Sequence, residues 1–119
     1  MHRPINATRL PFPVRFQHWA VASFVATNDE LEAAFGHSHF YDDRPDDAGA
    51  LEDNWAWELP DGQRLRVILE IPYDYATLYC DPPVAVHAIA ALGLSPQHDE
   101  LKIFPEPVLH RGAARGGSA

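Results

Sequence analysis

Apolar residues fall at two spacings along the chain, and the change from one to the other marks the elements. From Val14 to Val25 the chain is rich in β-branched and aromatic residues (Val14, Phe16, Trp19, Val21, Phe24, Val25). This predicts one strand, bent or bulged near 18–20 where the alternation slips. Thr27-Asn28-Asp29-Glu30 has the form of a capping box, with Thr27 as N-cap and Glu30 reaching back from the third helical position. A helix over 28–35 follows, with Leu31, Ala34 and Phe35 as its apolar stripe and Gly36 as a left-handed C-terminal cap. His37 to Tyr41 reads as a short strand.

Two alternating rows then flank a turn: Trp55, Trp57 and Leu59 before it, and Leu65, Val67, Leu69 and Ile71 after it. Directly opposed residues of a hairpin share a face, so loop length decides whether the two apolar rows coincide. A two-residue Asp61-Gly62 loop would place Trp57 opposite Arg66, so that the tryptophans face the arginines. A three-residue Pro60-Asp61-Gly62 loop sets Trp57 opposite Leu65, Trp55 opposite Val67 and Glu58 opposite Arg64. Proline presets the first turn position and Gly62 suits a left-handed bulge, so turn chemistry and packing agree on three.

Beyond Pro72, Tyr73 to Cys80 reads as the next strand, with Tyr73, Tyr75, Thr77 and Tyr79 on one face. Asp81-Pro82 reads as an N-cap followed by proline at the first helical position. That opens a helix over 84–92 with Val84, Ala85, Ala88, Ile89 and Leu92 inward. Gly93 and Leu94 close it in the Schellman pattern. Leu101 to Phe104 is a last short strand, stopped by Pro105 and Pro107. Residues 1–13 read as an extended arm, 14–107 as one domain and 108–119 as a disordered tail. The fold class is α+β, a mostly antiparallel sheet of about four to six strands with two short helices in the order β-α-β-β-β-α-β.

Composition narrows the setting. A chain of 119 residues makes one core and not two. The single cysteine, Cys80, excludes an internal disulfide and a cysteine zinc cluster. No apolar run reaches the length of a membrane span, and the N-terminus lacks a secretory signal, so the expectation is a cytoplasmic protein. The formal charge of −8 is unevenly spread: all seventeen acids lie between Asp29 and Glu106. From Asp42 to Asp61 eight acids stand against Arg44 alone. Such a stretch repels nucleic-acid phosphates and anionic lipid headgroups and attracts cationic surfaces. Neither nucleic acid nor membrane is therefore an expected partner.

Catalytic signals are sparse. His37 and His39, two apart on a strand, would point the same way, and Asp42 or Asp43 would complete a metal site. This is the alternative of a small metal-dependent enzyme, although two-residue spacing is a weak signature and no His-Glu-x-x-His occurs. Ser23, Ser38 and Cys80 lack the surroundings of a nucleophile, and no glycine-rich phosphate cradle is present. No cofactor is expected. Trp55 and Trp57 are core candidates. Tyr73, Tyr75 and Tyr79 have a better claim to a surface, because phenols suit the border between apolar contact and water.

The run Thr27-x-x-Glu30-Leu31-x-x-x-Phe35-Gly36, an acidic loop, Trp55-x-Trp57-x-Leu59-x-Asp61-Gly62, Asp81-Pro82-Pro83 and Leu92-Gly93-Leu94 resembles small acidic α+β bacterial immunity-type proteins. The resemblance is one of layout and spans about residues 14–104. It implies a non-catalytic inhibitor that shields the cationic surface of a toxin. On that expectation the partner is a basic protein, met by Tyr41, Asp42, Asp43, Asp46, Asp47, Glu52, Asp53 and Tyr75. A third reading is a structural domain that self-associates as a homodimer through an open sheet edge.

Overall fold

A computed structural model of the chain describes residues 3–4, 6–43, 51–83, 85–94 and 101–109. In chain order these form β1 (Thr8–Arg9), β2 (Trp19–Val25), α1 (Asn28–Phe35), β3 (Phe40–Asp42), β4 (Glu52–Glu58), β5 (Arg64–Glu70), β6 (Tyr75–Asp81), α2 (Ala85–Ala91) and β7 (Lys102–Leu109). A single 3-10 turn, Ile71–Tyr73, joins β5 to β6. The strands make one antiparallel sheet in the order β1-β4-β5-β6-β2-β7, and β3 pairs with β4 as well. The class is the α+β class read from the pattern.

The β4–β5 hairpin has the three-residue loop. Trp57 stands opposite Leu65, Trp55 opposite Val67 and Glu58 opposite Arg64. Leu59 and Gln63 close the loop, the Leu59 N–H donating to the Gln63 carbonyl at 2.8 Å, and Gly62 takes a positive φ of 88°. Glu58 and Arg64 meet at 3.0 Å, both partly exposed, a contact worth under about 1 kcal/mol.

Because side chains alternate across a strand, this register gives the sheet two distinct faces. On one, Trp55, Trp57, Leu65, Val67, Leu69, Ala76, Leu78 and Cys80 form a dry layer, and Leu31 and Phe35 of α1 and Ala88 and Ile89 of α2 pack onto it with Leu92. Phe35 meets Trp55 and Trp57 edge-on, with ring centroids 6.0 and 5.1 Å apart. The Thr27–Glu30 capping box is present. Gly36 has φ 84° and ψ −172°, so it supplies positive φ with an extended ψ rather than the left-handed helical conformation. The end of α2 is a Schellman motif: the Leu94 N–H donates to the Ile89 carbonyl and the Gly93 N–H to that of Ala90.

Several local expectations are corrected. β2 begins at Trp19 rather than Val14; residues 14–18 precede the strand, and Val14, Phe16 and His18 are buried, Val14 and Phe16 packing with Ala56 on the second face. Asp81 is the last residue of β6, four positions ahead of α2, and its carboxylate accepts the Gln17 N–H at 3.2 Å instead of capping a helix. Tyr73 belongs to the 3-10 turn and not to the strand. Pro105 and Pro107 do not stop the last strand. Among the described residues β7 pairs only with β2, and its register jumps between Ile103 opposite Ala22 and Val108 opposite Ala20. A residue without an N–H is tolerated on an edge with such an irregularity. The same pairing places Val108 and Leu109, expected in a tail, in the edge strand of the sheet. The arm expected over 1–13 contributes β1, where Thr8 and Arg9 pair with Glu58 and Trp57.

Candidate partner-binding face

The second face of the sheet carries the polar partners of the tryptophan rows. At the end remote from the β4–β5 loop, the register aligns Asp42, Glu52, Glu70, Tyr75 and Val25 across five adjacent strands. One step inward lie Phe40, Asn54, Ile68, Thr77 and Ser23, and then Ala56, Arg66, Tyr79 and Ala20. Three consecutive carboxylates thus end in an aromatic and a β-branched side chain, both exposed: Tyr75 at 39% and Val25 at 49%.

Beneath this row lies a buried cation. Arg66 has no solvent exposure. Its Nε and Nη2 donate to the Asn54 Oδ1 at 3.1 and 2.6 Å, and its Nη1 lies 3.3 Å from His18 Nε2. Its guanidinium also sits 5.4 Å from the centre of the Phe12 ring. Burial lowers the Arg66 pKa to about 10, while the charges of Glu52, Tyr79 and Asp42 oppose that shift. At neutral pH the group stays charged. Burial pushes the Tyr79 phenol up, and the Glu52 carboxylate adds to the effect. A row of acids above a desolvated guanidinium is electrostatically coherent, since an uncompensated buried charge is expensive.

The residues singled out from sequence therefore divide. Tyr75, Glu52 and Asp42 share the row, but Asp42 is buried and contributes charge to Arg66 from inside. Asp53 is also buried, on the helix side, where it accepts a hydrogen bond from the Asn28 amide of α1. Burial raises its pKa, with the Ser38 hydrogen bond opposing. Tyr41 is exposed, but it pairs with Asp53 and so lies on the opposite face from Tyr75. Asp43 is exposed. Asp46 and Asp47 lie outside the described residues. Tyr79 is core, packed with Ala20, Ile68 and Phe104, whereas Tyr73 is exposed. Sequence reasoning missed Glu70, Val25 and Arg66, although the period-two pattern of β5 already placed Glu70 and Arg66 opposite the apolar row.

The two histidines are separated in role. His37 is almost fully exposed and lies 3.3 Å from Glu32. His39 accepts the Ala56 backbone N–H at Nδ1, 3.0 Å away, and stacks edge-on against Trp57. Burial, with the nearby Arg9 charge, lowers its pKa to about 4. Among the described residues no three His, Cys, Asp or Glu side chains converge to hold a metal ion, and no helix is long and apolar enough to cross a membrane. Comparison with protein-family models, curated proteins and solved structures found no match to the chain.

Proposed function

We propose that this chain is a non-catalytic binding protein that docks on a basic protein surface, as an immunity protein does on its toxin. The observation that carries the reading is the cross-strand pair of partly exposed Glu52 and Glu70, flanked by buried Asp42 and running on into exposed Tyr75 and Val25. Carboxylates accelerate encounter with a cationic partner, and an exposed tyrosine beside an aliphatic side chain supplies the desolvated anchor that holds it. The immunity role rests on the layout of the sequence alone; the binding role rests on the row.

The test begins with the partner recovered with the full-length chain from its own cells, followed by stopped-flow kinetics with that partner. Glu70→Lys is expected to slow association several-fold at low ionic strength and much less in high salt. Tyr75→Ala is expected to speed dissociation by about 30-fold, the signature of a hot spot worth roughly 2 kcal/mol. Association and dissociation rates that both match the wild type in both variants remove this face from the account.

A further inference from the structure

At the other end of the strands, and on the opposite face, lies a cleft of about 810 Å³. Glu52 of the acidic row and Trp57 of the cleft are separated by about 17 Å along β4, at the rise of an extended strand. The cleft opens between the N-terminal arm, which supplies Arg3 and Arg9, and the α1–β3 connection, which supplies His37 and His39, with Phe35 and Trp57 as its apolar floor. Its volume is within the range of small-molecule sites. The floor rings are fixed: Phe35 and His39 each meet Trp57 edge-on at 5.1 and 5.4 Å.

The charge of the cleft is opposite to that of the molecule. The chain carries −8 formally, yet among the described residues no acidic side chain lines this cleft while two guanidiniums do, the nearest carboxylate contact being Glu32 on His37. The Arg9 Nη2 donates to the His39 carbonyl at 3.3 Å, which leaves most of the five donors of that fork for another acceptor. Arg3 makes no hydrogen bond or ion pair among the described residues. His39 takes the Ala56 N–H at Nδ1, so a neutral ring carries its proton on Nε2 and adds a third donor. Two guanidiniums lining one cleft favour an anion there, whose carbon skeleton rests on the apolar part of the lining.

We propose that this cleft binds a small organic anion, a carboxylate or phosphate borne on an apolar or aromatic body. The site is independent of the docking face, so either can fail without the other. The test uses the full chain and 8-anilinonaphthalene-1-sulfonate, an anionic aromatic probe, with uncharged N-phenyl-1-naphthylamine beside it. Saturable binding of one equivalent of the sulfonate is expected, weakened about tenfold or more by Arg3→Gln and further by adding Arg9→Gln. Phenyl phosphate is expected to displace the probe at lower concentration than inorganic phosphate. Because Arg9 also sits in β1, Arg3→Gln and amide shift mapping on the wild type carry the result if the double variant misfolds. Shifts confined to residues 3–9, 35–39 and 57 support the proposal. Shifts elsewhere, equal binding by the Arg3→Gln variant, or equally tight binding of the uncharged analogue would overturn it.

Discussion

Arg66 and His39 show what burial does to a single ionisable side chain. Arg66 is held by the Asn54 carbonyl through two of its nitrogens, with the charges of Glu52 and Asp42 nearby. Arg66→Ala leaves those acceptors desolvated and is expected to cost about 3–5 kcal/mol in urea unfolding. Arg66→Lys keeps the charge but not the planar fork, so it is expected to recover part of that loss and not all of it. His39 has its pKa lowered to about 4 in the folded chain, against 6.5 when unfolded, through burial and then Arg9. Between those values the unfolded state takes up a proton that the folded state refuses. Folding stability therefore falls as pH is lowered through that window, by at most about 1.4 kcal/mol per pH unit. His39→Asn keeps an acceptor for the Ala56 N–H and has no proton to gain, so its stability is expected to change less between pH 6.5 and 4. Parallel slopes in pH-dependent urea titrations of the two proteins would contradict this assignment.

At the scale of elements, local chemistry decided what neighbours did not need to. Thr27 with Glu30, Gly93 with Leu94, and Pro60-Asp61-Gly62 each fix their own geometry through hydrogen bonds spanning a few residues, and all three were legible. Asp81 and the two late prolines were misread because their local signals are genuine but depend on the neighbouring strand. A proline ends a strand only where an N–H is required, and on β7 it is not. These prolines also limit what the edge can recruit, since a strand lacking donors is a poor template for a second copy. Pro105→Thr combined with Pro107→Thr restores two N–H groups to that edge. Its apparent mass by light scattering is expected to rise with concentration more steeply than the wild type's. Indistinguishable curves would mean that the prolines do not guard the edge.

Across the whole molecule, the sheet separates two electrostatic environments. The acidic row occupies one face at one end, and the arginine-lined cleft occupies the other face at the far end. Each comes from residues distant in sequence: the row from five strands, the cleft from the arm, the α1–β3 connection and β4. The sequence by itself determined the class, the register of the central hairpin, the burial of Trp55 and Trp57, the N-terminal cap of α1 and the C-terminal cap of α2. Periodicity and turn chemistry act over a handful of residues and need no distant partner. Only tertiary structure decided that Asp42 and Asp53 face inward, that Tyr41 and Tyr75 lie on opposite faces, and that Arg3 and Arg9 share a cleft with two histidines. A side chain's exposure and electrostatic surroundings depend on which distant strand or arm is laid against it, and a one-dimensional pattern does not encode that contact.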